Sequence, residues 1–109
     1  MKVAIATDGV EVSPHFGRCA TYTIAEIKNN QIISKEVIAN PGHEPGFLPM
    51  FLAQRGVGYV IAGGMGPRAK TLFAQHGIEV ITGAYGRVDS VLQGFLEGTL
   101  EVGTDTCEH

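Results

Sequence analysis

The sequence predicts one α/β domain built on a five-stranded mixed sheet, in the order 3-2-1-4-5 with the first strand central, flanked by three helices. Three observations predict it. β-branched runs and segments of helical period alternate as strand, strand, strand, helix, strand, helix, strand, helix. The second and third runs are joined by Asn29-Asn30-Gln31 alone, where asparagine tolerates the positive φ of a tight hairpin, so strand 2 is antiparallel to its neighbours. Each later strand is reached through a helix and therefore returns parallel by a right-handed crossover. A chain of 109 residues has room for one core and not two, so residues 1–109 are expected as a single domain with an acidic tail from about residue 98.

Lys2 to Thr7 (KVAIAT) is a short β-branched run that ends in the turn signal Asp8-Gly9. Thr21 to Lys28 and Ile32 to Ala39 form the hairpin. The period then changes: Leu48, Phe51, Leu52 and Arg55 recur at helical spacing around Pro49, tolerated in a first turn, and Gly56 closes the segment. Gly58 to Ala62 is the fourth strand, Pro67 to His76 the second helix, closed by Gly77, and Ile78 to Thr82 the fifth strand. Val88, Val91, Leu92, Phe95 and Leu96 follow i, i+3, i+4, i+7, i+8, the pattern of a helix with one apolar face, and Gly98 lies just past its end.

Composition removes several classes of function. No apolar run approaches the roughly 20 residues that cross a bilayer, and Met1-Lys2 leads directly into a strand with no signal-peptide pattern, so a cytoplasmic protein without membrane partners is expected. The net charge is −3, and four of the eleven acids (Glu97, Glu101, Asp105, Glu108) lie beyond Leu96, where there is no lysine or arginine. The remainder carries seven acids against eight bases, which argues against a broad basic face and against nucleic acid as a partner. Two distant cysteines, Cys19 and Cys107, read as free thiols or ligands ahead of a disulfide in a reducing compartment.

In open α/β sheets ligands bind beyond the carboxyl ends of the parallel strands. Three loops are expected there: Asp8 to Ala20, Gly63 to Pro67, and Gly83 to Arg87. The first contains the heptad Ser13-Pro14-His15-Phe16-Gly17-Arg18-Cys19, with two soft-metal ligands beside a cation. The second runs Gly63-Gly64-Met65-Gly66-Pro67-Arg68-Ala69-Lys70, in which glycines allow close backbone approach and the helix start offers N–H groups to an anion. Gly83-Ala84-Tyr85-Gly86-Arg87 repeats the scheme. No acid occurs from Gly63 to Ile78 or from Val80 to Val88, so this edge is expected to hold a positive potential on an acidic protein. Each feature also has a plain structural reading, in which glycines only form turns and Arg68, Lys70 and Arg87 are solvated surface charges.

Gly64 to Ala69 fits the G-x-G-x-x-A dinucleotide fingerprint, but only one strand follows it and no acid ends that strand to hold a ribose hydroxyl. Three antiparallel strands followed by αβαβα also describe the ribonuclease H-like architecture, whose nucleases gather carboxylates around two metal ions. Only Asp8 stands at the matching edge here, which argues against nuclease activity. Candidate metal ligands are His15, Cys19, His43, Cys107 and His109, a thiolate and imidazole set suited to copper(I), zinc or iron–sulfur species. Their spacing is not that of a zinc finger. The plain readings are a loop histidine, a small buried apolar cysteine, a loop residue and a frayed tail. His76, at a helix end, reads as a helix-terminal cation.

The segments KVAIATDG, VSPHFGRC, NPGH, AGGMGPRA, GIEVITGAYGRV and GFLEGTLEVG, in this order, resemble the dinitrogenase iron–molybdenum cofactor biosynthesis family, the group of NifX, NafY and the C-terminal domain of NifB. The resemblance covers nearly the whole chain. It implies a ribonuclease H-like fold without the nuclease carboxylates, and non-catalytic binding or carriage of an anionic metal–sulfur cluster containing molybdenum, iron or copper with sulfide. It further implies metallocofactor assembly or acceptor proteins as partners. The expected site joins Arg18, Gly64, Met65, Gly66, Arg68, Lys70 and Arg87 as anion contacts to His15, Cys19, His43, Cys107 and His109 as metal ligands. The expected assembly is a monomer or weak homodimer. The alternative reading is a regulatory module that binds a phosphorylated small ligand or nucleotide at the same edge; an enzyme ranks below both because no nucleophile and base are paired in the sequence.

Overall fold

Val3, Ala4, Ile5 and Ala6 are completely buried in β1 (Lys2–Asp8), as an apolar run without alternation requires of a strand covered on both faces. A computed structural model of the chain describes residues 1–42 and 46–103. β1 is followed by β2 (Glu11–Val12), β3 (Thr21–Lys28), β4 (Gln31–Ala39), α1 (Phe47–Gln54), β5 (Val57–Ile61), α2 (Pro67–Gln75), β6 (Glu79–Ile81) and α3 (Val88–Glu97). The sheet runs β4-β3-β1-β5-β6, the expected order. β1 pairs antiparallel with β3 and parallel with β5; β3 pairs antiparallel with β4, and β5 parallel with β6.

The sheet has a sixth strand that the sequence reading treats as loop. Around the Asp8-Gly9 turn the chain folds back, so that Thr7 faces Val12 and Asp8 faces Glu11. Two residues are too few to show a period, which is why β2 is invisible in the sequence. The β3–β4 hairpin is as expected, with Asn29 (φ 53) and Asn30 (φ 61) both left-handed in a two-residue loop. Helix and strand bounds agree with expectation to within one residue.

The two faces of β1 divide the core. Val3 and Ile5 pack with Val91 and Leu92 of α3 on one side, while Ala4 packs with Leu52 of α1 and Phe73 of α2 on the other. Burial of this kind contributes on the order of 1.5–3 kcal/mol per large side chain. It fixes the helices against the sheet, and with them the loops that leave β1, β5 and β6.

Candidate functional site

Those three loops form one rim, and backbone hydrogen bonds tie them together. Gly63 N–H donates to the Ser13 carbonyl (2.9 Å) and Phe16 N–H to the Gly64 carbonyl (2.9 Å), joining the first loop to the second. Gly83 N–H donates to the Gly63 carbonyl (2.8 Å), joining the second to the third. Val12 N–H to Gly86 (2.9 Å) and Val88 N–H to Val10 (2.9 Å) return from the third to the first. The approach is close: a Cβ on Gly63 would lie 2.8 Å from Pro14 Cα.

Within the heptad, every third residue turns inward. Ser13 and Cys19 are buried and Phe16 is half-buried, its ring against Tyr22 (5.4 Å) and Phe73 (5.2 Å). Pro14 and Arg18 are exposed and His15 is half-buried. Two residues absent from the expected site hold this loop shut. Asn40 donates its amide to the carbonyls of Gly17 (3.0 Å) and Cys19 (2.9 Å), and Asp8 accepts the Ala20 N–H (2.9 Å). The signal for Asn40 is its place before Pro41-Gly42, a turn sequence whose amide side chain is well suited to bonding backbone.

Burial changes the chemistry expected of Cys19. Its thiol is pushed up from the ordinary value, chiefly by desolvation, so it is a protonated core group and not a thiolate at neutral pH. Beside it the Tyr22 hydroxyl, also pushed up by desolvation, is buried and makes no hydrogen bond of acceptable geometry among the described residues. Met65 is 1% exposed and packs between α1 and α2, so its thioether faces the core and not a ligand.

The two glycine loops are not equivalent. At the start of α2, Gly66 provides no side-chain cap, Pro67 occupies the first turn, and no acid lies there. The exposed N–H groups of that turn and the exposed Arg68 side chain are an anion-binding arrangement. At the start of α3 the Val88 N–H is already bonded to Val10, Asp89 occupies the first turn, and Glu11 bridges Arg87 across the backbone. That end is the poorer one for an anion. Lys70 lies one turn further along α2 and lines a groove with Ala74, Ile78 and Glu79 toward β6.

His15 and Arg18 lie in the loop that the Phe16–Gly64 hydrogen bond ties to the second loop, which leads through Gly66 to Arg68 in the first turn of α2, and Arg87 lies in the third loop, bridged to Glu11. The structure withdraws Cys19 and Met65 into the core and places Lys70 in a different groove. His43, Cys107 and His109 lie outside the described residues. Among the described residues no three histidine, cysteine or acidic side chains come together to hold a metal ion. No helix among them is long and apolar enough to cross a membrane.

Residues 1–98 match the family model described as dinitrogenase iron–molybdenum cofactor. The chain belongs to that family. It is similar to an uncharacterised protein of Methanocaldococcus jannaschii, with 40% identity over 93% of this chain and 90% of that one. Among solved structures it is similar to PH0822 (TM-score 0.89, 37% identity, covering 97% of this chain and 99% of that one). The apo form of the orange protein of Desulfovibrio gigas is also similar (TM-score 0.72, 25% identity, covering 95% and 93%). The family match accounts for the heptad and the Gly64 to Ala69 segment appearing on the same chain, since both fall within it.

Proposed function

We propose that this chain binds and carries an anionic metal–sulfur cluster on the rim, as a step in metallocofactor assembly, without catalysing a reaction of its own. The observation that carries the reading is the uncapped, acid-free start of α2, with Arg68 exposed on it, docked through the Phe16–Gly64 hydrogen bond beside the loop of His15 and Arg18. A sulfido-metallate of molybdenum, iron or copper is bulky, soft and multiply charged. Helix-start N–H groups with one or two guanidinium groups suit it, and the half-buried His15 imidazole offers one soft contact. Membership of the iron–molybdenum cofactor family supports cargo of this kind and assembly or acceptor proteins as partners. The sheet order and the two-and-one division of helices support the ribonuclease H-like architecture.

Reconstitution tests the reading. Adding iron, molybdate or copper with sulfide to the apo protein is expected to give a visible chromophore that stays with the protein through gel filtration. Arg68→Ala with His15→Ala is expected to lose it, and retention by that variant would move the site elsewhere. Thermal stabilisation by nucleotides or sugar phosphates and by no thiometallate would favour the phosphorylated-ligand reading of the same helix start.

A further inference from the structure

From Val88 onward the sequence carries five acids, Asp89, Glu97, Glu101, Asp105 and Glu108, and no lysine or arginine. Residues 1–87 carry the other six acids and all eight bases, so a chain of net −3 divides into a +2 body and a −5 C-terminal fifth. The fold gives that imbalance a shape. After α3 the chain turns at Gly98, bonds Thr99 N–H back to Gly94 (2.9 Å), and runs alongside the helix until Gly103 N–H bonds Gly83 (2.7 Å). Helix and returning chain enclose an open groove of about 540 Å³.

Asp89, Glu97 and Glu101 border the groove, Val91 and Leu100 give it an apolar floor, and Tyr85, 64% exposed, stands at one end. No lysine or arginine lines it. Asp89 is engaged by Lys35 (2.9 Å) and Glu97 accepts from the Gln93 amide, but no hydrogen bond or ion pair among the described residues engages Glu101. Tyr85 belongs to the Gly83–Arg87 loop, so the groove abuts the rim.

We propose that this groove docks a basic segment of a partner protein, one that presents lysine or arginine together with an apolar side chain. The Glu97 and Glu101 carboxylates over an apolar floor complement that chemistry, Asp89 being already paired with Lys35, and an aromatic ring at the mouth stacks with a guanidinium or ammonium group. The chain's own last residues are disfavoured as occupant because Asp105 and Glu108 repeat the charge already there and no lysine or arginine accompanies them. A partner seated in the groove stands next to the rim, and the opposed signs of groove and rim orient it during approach.

A fluorescent peptide, Lys-Leu-Lys-Lys-Leu-Lys, titrated into the full chain tests the proposal by anisotropy, with the same peptide carrying glutamate for lysine as control. Amide shifts of the labelled protein give the location. The lysine peptide is expected to bind with shifts confined to 85–101, to weaken with salt, and to lose on the order of tenfold in affinity in Glu97→Gln/Glu101→Gln, whereas Arg68→Ala binds it like the parent. Equal binding by the double glutamine variant, equal binding of the control peptide, shifts on β4 or the rim, or no binding at all would each overturn it. So would a self-association that the glutamine variant abolishes, since the groove would then be taken by a second copy. Because Glu97 and Glu101 are exposed, both substitutions leave the core intact, which circular dichroism verifies.

Discussion

Cys19 lies in a loop between a guanidinium and a turn, the setting of a reactive thiol, yet the loop folds it inward against Ala6, Leu48 and Ala62. Desolvation raises its thiol pKa, and the nearby Asp8 carboxylate acts in the same direction. In the native protein iodoacetamide is expected to alkylate Cys19 at least about a hundredfold more slowly than in the urea-unfolded chain, read by mass spectrometry of the Cys19 peptide. Comparable rates would mean that the thiol is open to solvent. The same burial sets a pH dependence. Cys19 and Tyr22 both hold their protons more tightly when folded, so above the ordinary thiol and phenol range the unfolded chain binds fewer protons than the native one. Stability therefore begins to fall as pH rises past about 8.5, where the unfolded thiol ionises, and falls further above about 10, where the unfolded phenol does. Tyr22→Phe removes an unpaired buried hydroxyl and one of the two groups responsible. It is expected to raise stability by about 1 kcal/mol at neutral pH and to flatten the alkaline fall in urea titrations. Lower stability of that variant at neutral pH would show the hydroxyl to be well bonded in the native state. The inward turn of Ser13, Phe16 and Cys19 is not legible in the sequence, because a loop has no fixed period from which to infer burial.

At the scale of elements, the regular segments were legible and the joins between them less so. The Val88 to Leu96 pattern and the Asn29-Asn30 turn each state their geometry locally, through spacing in one case and left-handed backbone in the other. What separates the two glycine loops is not local. The start of α3 is occupied by Val10 and Glu11, contributed by a tight turn and the two-residue strand after it, which have no periodic signature, and this leaves α2 with the better anion end. Gly83 sits at φ +81 with its Cβ position 2.1 Å from the Gly103 carbonyl oxygen, so Gly83→Ala is expected to cost about 2–4 kcal/mol in denaturant melts. Gly66 has an ordinary φ of −66 and open space around it, and Gly66→Ala is expected to change stability by less than about 1 kcal/mol. Similar losses in the two variants would show that the β6–α3 loop and the returning chain are not packed together.

For the whole molecule, sheet order followed from the sequence because one tight hairpin and two right-handed crossovers leave few alternatives for the strands they join. The proposed site was only partly legible because the same loops that carry its charges also close the core, where the side chains of Cys19 and Met65 are buried. What remains on the surface is a charge arrangement, cationic at the start of α2 and anionic along α3. Binding that depends on it should weaken with salt and with loss of Arg68. The most direct measurement is a titration of the apo protein with tetrathiomolybdate at several ionic strengths, comparing the parent with Arg68→Ala. A charge held at a helix start predicts that affinity falls as salt rises and that the variant binds about tenfold more weakly at low salt. Equal affinity of parent and variant at every salt concentration would contradict it.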